Sequence, residues 1–373
     1  MKVLSVFVFF LTFYKIPFFY PYFYISIIFG LIGLSLFYFK TYRSKFFSSI
    51  GLLPIFFLAF LILYSLIIDL FSGGLVLDLK NSFSVRGLTL ILISALPAYF
   101  IVAYCLKWNY RSAIDVIALA FWVQAAFWIL SYLFPNLKFV FNAFMGGGDE
   151  AVNLMPHNFE TRGFGISSEI NYTTPFMTVL TCFLLIQRKS LSFVSTLTQL
   201  INSNLVVISV AFGFIFSKFR LFYKFIFLAI VLSFIYAFGE VFFPRLIAEF
   251  LSGDSRTIRA LMNNHIIILN NDYFGHVFGG FVYLFRGDLG VSSDIGWVHI
   301  YNYGGVFYTL LYLSFLLFLS FSAFGFRFFS LVWFSAGLVL NTKGLLFGPN
   351  SYYFVTFMFI FLNYRNGYQR SNS

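Results

Sequence analysis

The sequence predicts an all-α integral membrane protein with about twelve transmembrane helices and two larger loops on one side. Three observations predict it. Of 373 residues, 60% are apolar and 10% charged, with a mean hydropathy of +0.89. Apolar runs long enough to cross about 30 Å of hydrocarbon recur from Val3 to Leu362, and charges gather in the gaps between them. No gap is long enough to hold an independent soluble domain, so the chain reads as a single polytopic membrane domain over 1–373.

Taken in order, the first run follows Lys2 and lacks a small-x-small cleavage site, so it reads as an uncleaved span entered from the cytoplasm. Spans are expected near 3–20, 22–39, 48–68, 87–106, 113–134, 172–187, 190–202, 204–217, 222–243, 297–321, 328–341 and 351–364. This layout puts 14 of the 24 Lys and Arg on the cytoplasmic side with one acid, Asp115. The other 10 bases share the outer side with the remaining 12 acids. Juxtamembrane bases set topology, so the asymmetry orients the chain with both termini cytoplasmic. The net charge of +11 is explained by these bases facing anionic lipid, and no nucleic-acid partner is implied.

The stretch between Arg188-Lys189 and Lys218/Arg220/Lys224 decides the layout. It is long for one crossing and short for two, and one crossing would place a basic cluster outside. Asn202-Ser203-Asn204 offers a turn, because Asn and Ser side chains bond to nearby backbone. A tight hairpin is therefore expected, which puts loops 135–171 and 244–296 on the same, outer face.

Those loops hold most of the chemistry-bearing residues. The first contains Gly146-Gly147-Gly148, Asp149-Glu150, His157, Arg162 and Glu169; the second contains Arg256, Arg259, Arg286 and Asp294. Asp149-Glu150 follows three glycines with no second carboxylate pair at a useful spacing, so no metal site is expected. Cys105 and Cys182 lie in apolar runs, where a thiol packs as a small hydrophobe, and no disulfide is implied. No phosphate loop, dinucleotide fingerprint or zinc spacing is present, and no cofactor is expected. Gln124 and Glu240 are polar at membrane depth, where such groups face a protein interior, a wet cavity or the interface.

Three segments resemble Wzy-type O-antigen polymerases, within the O-antigen polymerase and ligase superfamily. They are Arg162-Gly163-Phe164-Gly165 followed by Glu169 before a span, Ser252-Gly253-Asp254-Ser255-Arg256 with Arg259, and Ser293-Asp294-Ile295-Gly296-Trp297 leading into a span that contains Tyr303-Gly304-Gly305. The likeness covers the whole chain in layout and about forty residues in sequence. Many relatives carry Ser-Arg at the hairpin turn, where this chain has Ser203-Asn204.

The resemblance implies a bacterial inner-membrane enzyme with two periplasmic loops. It would transfer a glycan from an undecaprenyl pyrophosphate donor to a hydroxyl of the next lipid-linked repeat unit. Such chemistry needs cations for the departing pyrophosphate and a base for the acceptor hydroxyl. Arg162, Arg256, Arg259 and Arg286 suit the first, since guanidinium binds phosphate oxygens bidentately. Arg256 and Arg259 are three apart and would share a helix face. For the base, Glu169 and Asp294 sit where loops re-enter apolar spans, with His157, His265 and His299 as alternatives. Solvated ion pairs for the arginines and helix capping for Asp294 are the plain structural readings. Membrane lipid, lipid-linked oligosaccharide and a chain-length regulator are the implied partners. A ligase of the same superfamily and a flippase for lipid-linked oligosaccharide are the rivals; the chain lacks the repeated halves common in transporters.

Overall fold

The computed structural model describes residues 2–19, 23–41, 49–71, 82–145, 165–167, 169, 172–242, 247, 265–269, 272–280 and 293–371. The described chain is helical apart from one short antiparallel ladder of Pro17–Phe19 (β1) with Phe23–Tyr24 (β2). Among the described residues, five helices are long and apolar enough to cross a membrane: Leu53–Phe71, Phe83–Cys105, Tyr110–Leu133, Leu221–Val241 and Gly296–Phe324. This is the architecture of a helical membrane protein. Shorter apolar helices include Lys2–Phe13, Thr173–Ile186 and Val206–Phe216.

The chain packs as two compact units, Met1–Ile28 with Ile101–Arg256 and Phe29–Phe100 with Thr257–Ser373. In unit 1, the helix Lys2–Phe13 (α1) ends short of the expected 3–20 span. Lys15 takes a left-handed φ of 50° and the amide of Ile16 closes back to the carbonyl of Leu11 at 3.0 Å, the bond of a left-handed helix cap. Pro17 then bars any continuation, lacking the amide hydrogen a further turn requires.

Helix α1 packs on Tyr110–Leu133 (α5) through rings: Phe121 meets Phe9 and Phe13, and Phe127 meets Phe10. Asn109 caps α5 by accepting the amide of Ser112 at 3.0 Å. A short helix with Pro at its first position, Pro135–Phe144 (α6), opens the first loop.

The expected hairpin is present as two helices, Lys189–Asn202 (α8) and Val206–Phe216 (α9), which flank a break at 203–205 and pack on Thr173–Ile186 (α7). At one end Arg188 and Lys2 both pair with Asp115, early in α5. Asn202, at the far end of α8, accepts from the indole of Trp128 at 3.1 Å. Trp128 lies thirteen residues beyond Asp115, about 20 Å along α5 at the helical rise. Helix α9 then returns beside α7, with the Ser209 hydroxyl donating to the carbonyl of Phe176 at 2.9 Å and Gly213 against the Phe183 ring. The chain rises and descends between its two basic clusters. Leu221–Phe242 (α10) completes the unit; only 6% of its apolar window is buried, and Glu240 near its end is exposed.

Unit 2 contains most of Ile25–Thr41 (α2), then Ser49–Phe71 (α3), the first part of Phe83–Cys105 (α4), Tyr273–Phe278 (α11), Gly296–Phe324 (α12), Phe328–Lys343 (α13) and Ser351–Ser371 (α14). Pro97 in α4 has no amide hydrogen, and a wider π turn at Ile91–Ala95 precedes it. The carbonyls of that stretch are approached by α2: a Cβ on Gly30 would lie 2.0 Å from the Leu92 oxygen, and one on Gly33 2.3 Å from the Leu96 oxygen. Two glycines three apart let the two backbones touch, as small residues do between membrane helices.

Candidate functional site

In unit 1 the last residues of the first loop fold into the helix bundle. The amide of Ile166 donates to Gln124 Oε1 at 3.2 Å, and that of Gly165 to Ser131 Oγ at 3.4 Å. Gly165 has φ +59°, and a Cβ there would lie 2.6 Å from Gln124 Nε2, so conformation and space both require glycine. Gln124 lies nine residues before the end of α5, about 13 Å down the helix. Its side chain is 2% exposed, and it satisfies backbone that enters the bundle without helical bonds of its own.

Glu169 hangs from this segment. Its amide donates to Ser167 Oγ at 3.2 Å, while its carboxylate bridges the ammonium of Lys15 and the hydroxyl of Thr173 in the first turn of α7. The two side chains of the ion pair are 11% and 20% exposed. Lys15 is brought there by the left-handed cap that ends α1. A buried ammonium hydrogen-bonded to a half-buried carboxylate is the polar centre of this unit. It can hold an anionic or polyhydroxyl group beside an ammonium, and it can order a hydroxyl against a carboxylate.

Unit 2 has a second buried carboxylate, that of Asp69 near the end of α3. Asp69 is fully buried and accepts from the Ser84 amide at 3.0 Å, the Ser84 hydroxyl, and the Tyr303 hydroxyl at 2.7 Å. Tyr303 Oη also lies 2.9 Å from the Ser65 carbonyl, and Ser65 Oγ lies 2.7 Å from Tyr308 Oη. The Tyr303 ring stacks on Phe83 with centroids 4.1 Å apart. Two residues on, Gly305 adopts φ +63°, ψ −161° and breaks α12. The break leaves the Asn302 carbonyl to accept from Gly280 at 3.2 Å, and the Asn302 side chain holds Leu269 and Ile267 by their backbone at 2.8 and 2.7 Å.

The end of the second loop meets the same helix. The Asp294 amide donates to His265 Nδ1 at 3.3 Å, and the Ser293 hydroxyl donates to the His265 carbonyl at 2.7 Å. His299 is buried and its Nε2–H donates to the Ser293 carbonyl at 2.6 Å, so it pins the end of the loop to α12. The carboxylate-bearing Asp294 is exposed, and the helix cap is Ile295. Because His265 Nδ1 accepts, the neutral ring carries its proton on Nε2, which makes it a donor toward any ligand. Arg86, in the first turns of α4, lies near His299 and near Gly348.

Of the residues singled out by sequence, the structure thus places Glu169 with Lys15 and Thr173, and Asp294 with His265, Ser293 and His299. His157, Arg162, Asp149, Glu150, Arg256, Arg259 and Arg286 lie outside the described residues. Sequence reasoning missed Lys15, Asp69 and Arg86. The signal for the first two was a charge inside or at the rim of an apolar run. Among the described residues no group of three or more His, Cys, Asp or Glu could hold a metal ion.

Removing the Tyr303 hydroxyl isolates its part in this network. Tyr303→Phe keeps the stack on Phe83 and withdraws a donor from a buried carboxylate, which costs about 1–3 kcal/mol. The expected result is a lower midpoint in chemical denaturation of the detergent-solubilised protein; an unchanged midpoint would show that Asp69 does not depend on this bond.

Compared with known protein families, curated proteins and solved structures, the chain matches none.

Proposed function

We propose that this protein polymerises undecaprenyl-pyrophosphate-linked oligosaccharide repeat units on the periplasmic face of a bacterial inner membrane, crossing that membrane about twelve times with both termini cytoplasmic. The growing glycan leaves its lipid pyrophosphate and joins a hydroxyl of the next unit. The observation that supports the reading is the anchoring of Gly165 and Ile166 in unit 1, with Glu169 close by against a buried ammonium. In this scheme Arg162, Arg256, Arg259 and Arg286 take the pyrophosphate and Glu169 or Asp294 orders the acceptor hydroxyl, with Lys15 as a further cation. Cations fixed in a water-poor site act strongly on a departing anion.

The test is the surface glycan profile of the source bacterium with the gene deleted, then restored as wild type, Glu169→Gln or Arg162→Lys. A single repeat unit on the lipid A core with no ladder establishes a polymerase. Failure of Glu169→Gln to restore the ladder at normal membrane abundance places the chemistry in unit 1. Arg162→Lys keeps charge and loses the bidentate fork, so it separates specific grip from general electrostatics. A core carrying no unit at all points to the ligase or to a flippase, and an unchanged ladder on deletion refutes the reading.

One observation favours the flippase as a second reading. Helix α12 is broken at Gly305 beside the buried Asp69, and interrupted helices with buried acids recur at transporter sites. A flippase mutant would accumulate lipid-linked units facing the cytoplasm, whereas a polymerase mutant would accumulate them facing outward.

A further inference from the structure

Six hydroxyls inside unit 1 are enclosed without a hydrogen-bond partner of good geometry among the described residues; Ser26 and Ser217 carry two of them, and the other four, those of Tyr14, Thr174, Thr181 and Ser192, lie along one seam. The four residues are no more than 2% exposed. Small polar residues often let membrane helices approach closely, which accounts for the residue types. It does not account for open hydroxyls. A buried Ser or Thr on a helix is readily satisfied by the carbonyl one turn back, as Thr178 is by Thr174 at 2.8 Å and Thr196 by Ser192 at 2.8 Å. The four do not use that route.

Nor are they scattered. Thr174, Thr178 and Thr181 are spaced four and three residues apart and share one face of α7. Tyr14 meets that face at Thr178, whose hydroxyl lies close to its own but donates to the Thr174 carbonyl, and at Cys182. The Cys182 thiol faces Ser195, whose hydroxyl donates to the Ser192 carbonyl at 3.2 Å. The polar seam therefore begins at Tyr14, next to Lys15 of the buried ion pair. It ends one turn from Arg188, the partner of Asp115.

Buried polar atoms without protein partners are ordinarily satisfied by ordered water, each molecule making about three hydrogen bonds. We propose that unit 1 encloses a file of bound water molecules along this seam, linking the Lys15–Glu169 pair to the Arg188–Asp115 pair. The inference stands independently of any transferase activity.

Synchrotron hydroxyl-radical footprinting of the purified full chain in ¹⁸O-water reads it directly, because radicals form at the bound waters themselves. Tyr14 should take up the label several-fold faster than Tyr312 and Tyr353, which are equally buried but hydrogen-bonded to each other at 2.9 Å. Thr181→Val removes one lining hydroxyl and should slow labelling of Tyr14 while leaving the 95% exposed Tyr236 unchanged. Protection of Tyr14 to the level of Tyr312 and Tyr353 overturns the file, and this wild-type comparison stands even where the variant does not fold. Labelling of Tyr14 unaffected by Thr181→Val in folded protein also overturns it, since the radical would then arrive from outside.

Discussion

Glu169→Ala destabilises the protein by about 3–5 kcal/mol, because it leaves the buried Lys15 ammonium without its counter-ion, and Lys15→Ala costs less, because the Glu169 carboxylate is 20% exposed. The double replacement Lys15→Met with Glu169→Leu costs far less than the sum, and apolar substitution of a buried pair is often neutral or stabilising. The physical reason is desolvation: the ion pair recovers by attraction most of what each charge lost on leaving water, so removing both removes cost and gain together. Unfolding in detergent, followed by tryptophan fluorescence, gives the cycle. Additive losses would mean that the two side chains do not interact. Glycan assembly separates the structural part from the chemical one: the apolar pair should fold and yet fail to restore the ladder, if this centre acts on substrate.

The second large effect is expected where α2 meets α4. Alanine at Gly30 would put a carbon 2.0 Å from the Leu92 carbonyl oxygen, and at Gly33 2.3 Å from that of Leu96. Neither obstacle is a flexible side-chain tip, so one helix backbone must move away by more than 1 Å. Overpacking of this kind costs about 1–3 kcal/mol, and more for a larger side chain. Gly30→Ala should lower the melting temperature measurably and Gly30→Leu should prevent recovery of folded protein. Ser35→Ala on the exposed side of the same helix should change neither. A Gly30→Leu protein that melts as wild type would show that α2 does not pack at this distance.

How much of this was legible in the sequence depends on the range of the interaction. Hydropathy located the long helices, since each run reports its own burial in lipid or protein. The break at 203–205 was legible because Asn and Ser act on their own backbone and the basic clusters on either side required a return. Glu169 was legible from its place just ahead of an apolar run. Lys15 was not, since a base at the rim of a run has an ordinary interfacial reading, and its partner stands 154 residues away. Asp69 fell just beyond the expected 48–68 span, and only the fold brings Ser84 and Tyr303 to it. Gln124 was noticed as polar at depth, but what it bonds is loop backbone, which no side-chain pattern announces. Gly30 and Gly33 pass for ordinary glycines until the carbonyls opposite are known. The first helix stops early for a reason composition does not reveal, a lysine in a conformation that usually belongs to glycine.

That lysine has a consequence for how the chain is made. Synthesis runs from the amino end, so Lys15 leaves the ribosome 154 residues ahead of Glu169. Throughout that interval the ammonium at the far end of α1 lacks the carboxylate it pairs with in the fold. That segment gains its counter-ion only at the start of α7, with α8, α9 and α10 of the same unit still to follow.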